Sequence, residues 1–469
     1  MNKKFYLTTA IDYIDDVIHI GHAYQKIVAD VLARYRRLLG DKVFFLTGVD
    51  EHGGKAEEAG KKAGIGFKKW ADKISQADKK ELQSLSISFD RFIRTTDKDH
   101  EKNVVNFWHR VEKSGDIYLG EYVGIYCEGC EGFITKKDLI EGRCPFHPTR
   151  KPVKLTEKNY FFRWSKYEDF LRDYIKTHPE FVQPESRRNE MLAFLDRGLK
   201  DSPISRPSVK WGIPVPGDPK HTIYVWFDAL INYISGAPGG FWPADLHLLG
   251  KDNVRWHALL WPAMLKSAGY ELPKTIYGHG FISLNGQKIS KSLGNIIRPS
   301  QLVKKFGGAD PVRYYLLRVK PLAEDGDLSL KKITEVYNAD LANGLGNLVQ
   351  RVAKLAEMAK LQFKMPASRD SFRMQNYPEY NRFFNEYRFN ECLTWLWGKV
   401  SEVDKYIDQA RPWEKKGKEL VRALKNPIQE IREISYLLQP FLPETAEKIE
   451  RIFTADKIKA PKKALFPRL

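Results

Sequence analysis

The sequence predicts an α/β protein: a doubly wound parallel sheet, interrupted by a small cysteine-bearing insert and followed by an all-α C-terminal helix bundle. Three observations predict it. First, a β-rich run from Lys4 to Ile11 precedes a helical pattern that starts at about Ala23, with Ile27, Val31, Leu32, Tyr35 and Leu38 on one face. The dense apolar run KVFFLTGV, Lys42 to Val49, then reads as a buried strand, and strand–helix–strand opens a parallel sheet. Second, from about Gly115 the texture changes to short strands, glycines and cysteines. Third, from Asn338 onward the patterns are helical with few strand signals, as in LGNLVQRVAKLAEMAK.

The remaining elements follow in order. FKKWADKISQADKKELQSL continues the helical layer, and ISRPSVKWGIPVPGDP, rich in proline and glycine, reads as loop leading out of the insert. The sheet is expected to resume with HTIYVWFDALINYIS and DLHLLGKDNVRWHALLWPAML. The expected divisions are 1–114 for the first half of the sheet domain, 115–219 for the insert, 220–285 for the second half, 286–337 for a lysine-bearing loop and its connection, and 338–469 for the bundle. No internal repeat or low-complexity tract stands out.

The 469 residues carry a net charge of +18, which suits a polyanionic partner, nucleic acid ahead of a membrane surface. The N-terminus MNKKFYLTTAIDY has no apolar signal region, and no apolar run is long enough to span a bilayer. A soluble cytoplasmic location is therefore expected. With no secretion signal, the four cysteines favour metal binding over disulfides.

Four groups of residues carry chemistry. His19-Ile20-Gly21-His22 falls after the first strand and at the mouth of the first helix, where unpaired N–H groups and the helix dipole favour phosphate. Gly21 would let a nucleotide lie against the backbone. An isolated H-x-x-H is more often structural, with one histidine capping the helix. Far away, NGQKISKSLGN places Lys288 and Lys291 in a glycine-flanked loop able to close on phosphate charge, and the two elements together form a specific pair. In YVWFDALINY, Trp226, Ala229 and Tyr233 stand at i, i+3 and i+7, which on a helix gives either a core stripe or a pocket for a flexible thioether. Cys127 and Cys130, followed by Cys144 and His147, have the spacing of a closed, structural tetrahedral zinc site. Cys392, amid leucines and aromatics, reads as a buried, unreactive thiol. In the bundle, Asn347 and Arg351 share a helix face and Trp413 follows Pro412; such groups suit single-stranded bases, although solvation and core packing are the ordinary fates.

His19–His22 and Lys288-Ile289-Ser290-Lys291-Ser292 resemble the HIGH and KMSKS signatures of class I aminoacyl-tRNA synthetases, with Ile289 in place of methionine. IHIGHAYQKIVADVLARYRRLLG, VFFLTGVDEHG, YVWFDALINY, HLLGKDNVRWHALLWP and RPW resemble the methionyl-tRNA synthetase family, in order, over essentially the whole chain. The resemblance implies a Rossmann-type catalytic domain, a zinc-knuckle connective insert, a stem-contact region at 286–337 and an anticodon-binding bundle. It implies that ATP and L-methionine give methionyl-adenylate and pyrophosphate, and that methionine then passes to the 3′-terminal adenosine of tRNA(Met). His19, His22, Lys288 and Lys291 would be catalytic, and these with Gly21 and Ser290 would bind ATP, with Mg²⁺ on its phosphates. Ala10, Ile11, Tyr13, Trp226, Ala229, Tyr233 and His257 would line the methionine pocket, and Asp50 would hold the substrate ammonium. Asn347, Arg351 and Trp413 would read the CAU anticodon, and one structural Zn²⁺ per chain is implied. Two positions depart from the family pattern: Asp12, where proline or tyrosine is usual, and Asp404, where asparagine is usual. No appended dimerisation module is visible, so a monomer is expected. The rival readings are a catalytically inactive tRNA-binding paralogue and another class I synthetase for an apolar amino acid. The segment 115–219 is too short for a large editing insert.

Overall fold

Among the described residues, seven parallel strands organise the N-terminal α/β half: β1 (Lys4–Thr9), β2 (Asp12–Tyr13), β3 (Lys42–Asp50), β4 (Arg91–Arg94), β5 (Val182–Gln183), β6 (Leu246–Gly250) and β7 (Ile276–His279). The computed structural model describes residues 3–129, 132–134, 139–289, 293–361 and 371–469. The strand order is β2-β3-β1-β6-β7-β5, with β4 also paired to β3. Leu7 sits in register with Phe45 on one side and Leu246 on the other. The order reverses at β1, so a crevice opens at the carboxyl ends of β1 and β6, the place where such sheets bind ligands.

Helix α1 (Ile20–Leu38) returns from β1 to β3. It begins three residues earlier than its apolar periodicity suggests, because His19 caps it. Residues 23–33 are buried all round, since α1 lies between the sheet and the C-terminal bundle and shares one apolar core with both. Asp30 in α1 and Arg313 in the Ala309–Arg318 helix are fully buried and paired at 2.7 Å. The same guanidinium donates to the carbonyls of Leu85, Pro440 and Phe441, so every arm of the buried charge is satisfied.

Three expectations are corrected. The stretch HTIYVWFDALINYIS does not rejoin the parallel sheet. Asp218–Ile223 pairs antiparallel with Ser205–Arg206 and Pro214–Val215, around a turn at Gly217 with φ 80°, and two short helices follow. The parallel sheet resumes only at β6. The segment 115–219 is not one module. Its antiparallel sheet (Gly132–Ile134, Ile117–Cys127, Val153–Phe162, Ser202–Pro203) is interrupted by β5, which pairs with β7 through Val182 and Ile276. The helical run of the bundle begins at Leu330 and continues through Tyr337–Gly346 into Asn347–Met358, so residue 338 lies inside it. Among the described residues, no helix is long and apolar enough to cross a membrane.

Candidate active site and tRNA-binding end

The two signature histidines are locked by their own backbone. The Gly21 N–H donates to His19 Nδ1 at 3.1 Å, and the His19 N–H donates to His22 Nδ1 at 3.3 Å. Each Nδ1 is therefore an acceptor, and in the neutral ring each proton sits on Nε2. The rings stack 3.9 Å apart at 26°. Burial, then the His22 imidazole, holds His19 well below the usual imidazole range. The crevice walls, then Lys26 and Lys55, lower His22, whose edge still meets solvent. The pair is thus two neutral, parallel donors at a helix N-terminus. Gly21 is needed for a reason other than nucleotide approach: a Cβ there would lie 2.8 Å from His19 Cε1.

The lysine loop flanks this signature. The side chain of Ile289, 4 % exposed, reaches within 4.0 Å of that same Gly21 Cβ position. Beyond the loop, the Ile297 carbonyl accepts from the Ile20 N–H at 2.9 Å, and Arg298 donates to the Val17 carbonyl at 2.9 Å. Lys288 is not at the histidines. It ends the hairpin Ile282–Leu284/Gln287–Lys288, and its ammonium donates to the Phe146 carbonyl at 3.1 Å, between Cys144 and His147. Ser290 and Lys291 lie outside the described residues.

The candidate methionine pocket gathers at the carboxyl ends of β1, β3 and β6. Ala10, Asp50, Ala229, Tyr233 and His257 are buried, while Ile11, Tyr13 and Trp226 are half-buried. The helix carrying YVWFDALINY is broken at Ile231, so Trp226 and Tyr233 sit on two short helices rather than on one face. His257 rejoins them. Its Nδ1 donates to the Asn253 carbonyl at 2.9 Å, which leaves Nε2 to accept the Tyr233 hydroxyl at 2.7 Å, and its ring meets Trp226 edge-on at 6.3 Å. Burial keeps His257 neutral, lowered to about 4. It lies in a π-helical turn, Trp256–Leu260, a local widening often found at functional sites.

Behind this pocket is a set of residues that sequence reasoning missed. The Asp228 carboxylate, fully buried, contacts His52 Nδ1 at 2.6 Å and His100 Nε2 at 2.8 Å. Burial pushes its carboxyl up, but His52 and His100 outweigh that and hold it at about 2. Burial likewise pulls His52 down, yet Asp228 raises it above the ordinary imidazole value. His52 and Asp228 stood inside the motifs GVDEHG and YVWFDALINY, and a charged residue in an apolar motif was the available signal. The partnership itself spans 176 residues and is invisible to spacing.

The metal candidates converge. Cys127 Sγ and Cys144 Sγ lie 3.9 and 4.0 Å from His147 Nδ1, and all three donor atoms fall within 4.8 Å of one another. Tetrahedral zinc separates sulfur and nitrogen ligands by about 3.5 Å, so the donors need only a small closure. Gly129 is packed so tightly that a Cβ would lie 2.3 Å from His147 Cγ. Cys130 lies outside the described residues. Cys392 is fully buried, and burial raises its thiol.

At the other end of the molecule, Arg351 pairs with Asp404 at 2.8 Å and Asp408 at 3.1 Å, both near the end of the Phe389–Ala410 helix. Asp404 therefore makes an ion pair where the family pattern has an asparagine. Asn347 is exposed at the start of its helix, and Trp413 is 50 % exposed just past that pair.

A family model described as tRNA synthetases class I (M) matches residues 5–153 and 148–353. The methionine–tRNA ligase of Thermotoga maritima is 43% identical, over 96% of this chain and 75% of its own length. The chain belongs to the methionyl-tRNA synthetase family. The Nostoc methionine–tRNA ligase is 40% identical over 95% of this chain and 89% of its own length. A methionyl-tRNA synthetase of Mycobacterium tuberculosis, solved with methionyl-adenylate, superposes with a TM-score of 0.89 at 36% identity, covering 99% of this chain and 100% of its own. Ile289 thus packs beside the His19–His22 turn, while Lys288 contacts the Phe146 carbonyl of the 115–219 segment.

Proposed function

We propose that this chain is a methionine–tRNA ligase. It activates L-methionine with ATP to methionyl-adenylate and pyrophosphate, then transfers methionine to the 3′-terminal adenosine of tRNA(Met). The observation that carries the reading is the stacked histidine pair, fixed as two Nε2–H donors at the switch point with Ile289 of the lysine loop against Gly21.

The pocket suits methionine. Tyr233 and the Asn253 carbonyl satisfy the two nitrogens of His257, so the polar atoms are spent within the protein and the remaining aromatic and aliphatic groups, with Ala10, Ile11, Ala229 and Trp226, make a lining favourable to a polarizable sulfur. Asp50, buried at the end of β3, provides the charge-assisted acceptor for the substrate ammonium, with Tyr13 beside it in the sheet. The methionine carboxylate oxygen then attacks the α-phosphorus, the α–β phosphoanhydride breaks, and pyrophosphate leaves. His19 and His22 donate to phosphate oxygens as neutral groups; charge balance falls to Lys288 and Lys291, and Lys288 leaves the Phe146 carbonyl to supply it. Mg²⁺ carried by the ATP phosphates would add positive charge beside Lys288 and Lys291. In the second step a ribose hydroxyl of the terminal adenosine attacks the methionyl carbonyl and AMP leaves. No enzyme nucleophile is used.

Cys127, Cys130, Cys144 and His147 would hold one structural zinc, which metal analysis reads directly as one ion per chain. The net charge of +18 and the exposed Asn347 and Trp413 support tRNA as the polyanionic partner. Methionine-dependent ATP–pyrophosphate exchange tests the reading. Absence of exchange with any amino acid would make the chain a tRNA-binding paralogue, and exchange with another apolar amino acid would make it a different class I enzyme.

A further inference from the structure

Asp12 is a carboxylate at the mouth of a site that must receive a triphosphate. The structure gives it a partner. Lys26, one turn beyond His22 on α1, places its ammonium 2.5 Å from Asp12 Oδ2, and the two side chains are 0% and 11% exposed. The pair does not stand alone. Lys26 also donates to Gln25 Oε1 at 3.2 Å, while Gln25 Nε2 donates to the Leu248 carbonyl at 2.5 Å. That same carbonyl accepts the Ala10 N–H at 3.3 Å.

The bonds form a closed ring: Ala10 through Ile11 to Asp12, across to Lys26 and Gln25, on to Leu248, and back to Ala10. It stitches together the candidate methionine-pocket strand, the helix that presents His19 and His22, and strand β6 on the far side of the switch point. A buried ion pair is a poor way to gain stability, because desolvation offsets most of the attraction. Its value lies in fixing geometry.

We infer that Asp12 and Lys26 are positioning residues for adenylate formation, holding the methionine-pocket strand against the phosphate-binding helix so that carboxylate and α-phosphorus meet in line. The inference rests on the proposed ligase activity and adds a function at the one pocket-strand position where this chain departs from the family pattern. Misplacement of reacting groups by about 1 Å can cost roughly a hundredfold in rate, so loss of the ring falls on turnover rather than on binding.

The test compares Asp12→Asn, Lys26→Met and the double variant with the parent enzyme, in methionine-dependent ATP–pyrophosphate exchange, methionine affinity by tryptophan fluorescence, and thermal unfolding. Each single variant strands a buried charge and loses stability; the double variant strands none and regains it. The expected result is that the double variant melts near the parent and binds methionine within about threefold, yet exchanges roughly ten- to a hundredfold more slowly. Recovery of the exchange rate together with stability would show a purely structural pair and overturn the inference, as would parental rates in the single variants. Failure of the parent itself to exchange would overturn the ligase reading instead, so the two failures are told apart.

Discussion

The crevice and the far end of the helix bundle hold their charges in opposite ways. Around the crevice, Asp228 is sealed between His52 and His100, and Asp12 is closed into a ring through Lys26. At the bundle, Arg351 lies across Asp404 and Asp408, with Asp408 exposed and the other two partly open to water. Sealed pairs are expensive to break and keep one geometry. Exposed pairs are weak, screened by salt, and readily exchanged for other contacts. On the proposed function, the crevice places two small substrates within a fraction of an ångström, whereas the bundle exchanges its own hydrogen bonds for those of an RNA.

That contrast can be broken most sharply at Asp228. Replacing it with alanine leaves two histidines facing an empty, dry site and is expected to cost about 3–5 kcal/mol, read as a fall in denaturant midpoint. The pH dependence has a defined sign. Asp228 titrates lower in the folded chain, so its contribution is present above the ordinary 3.8 and lost as pH falls toward about 2. His52 titrates higher in the folded chain, so its contribution is present below the ordinary 6.5 and lost as pH rises through the raised value. The stability gap between parent and variant should therefore be widest between those two pH values.

His19→Ala comes next. Removing one preorganised donor typically costs about 2.7–4 kcal/mol of transition-state stabilisation, so exchange should slow by two to three orders of magnitude while methionine affinity, by fluorescence, holds. Trp413→Ala separates the two regions. Loss of a stacking platform, about 1–3 kcal/mol, should raise the tRNA concentration needed for charging and leave ATP–pyrophosphate exchange untouched. The smallest effect belongs to Asp404→Ala, below about 1 kcal/mol in unfolding free energy, and 0.5 M salt should erase what there is. An equal loss at Asp404 and Asp228 would dissolve the contrast.

The sequence made the local parts readable and left the distant ones dark. The run Lys42–Val49 announced a strand through apolar density, and HIGH fell at a helix mouth because a cap and an apolar stripe are short-range signals. The break at Ile231 was not readable. It follows from Asn232 donating to the Ala229 carbonyl and from Tyr6, 227 residues away, donating to the Tyr233 carbonyl. Strand β5 is two residues long, too short for any period, and exists because β7 offers it an edge. For Asp12, the departure from the family pattern was readable and its partner was not. Only the crossing of β2 and α1 chose Lys26.

The Asp30–Arg313 clasp has a consequence at the scale of the whole enzyme. Helix α1, with His19 and His22 at its mouth, is bolted at its middle to the Ala309–Arg318 helix and, through the same guanidinium, to the Pro440–Phe441 corner of the bundle. The helix mouth and the bundle are therefore held at one spacing by a buried charge rather than by a flexible linker.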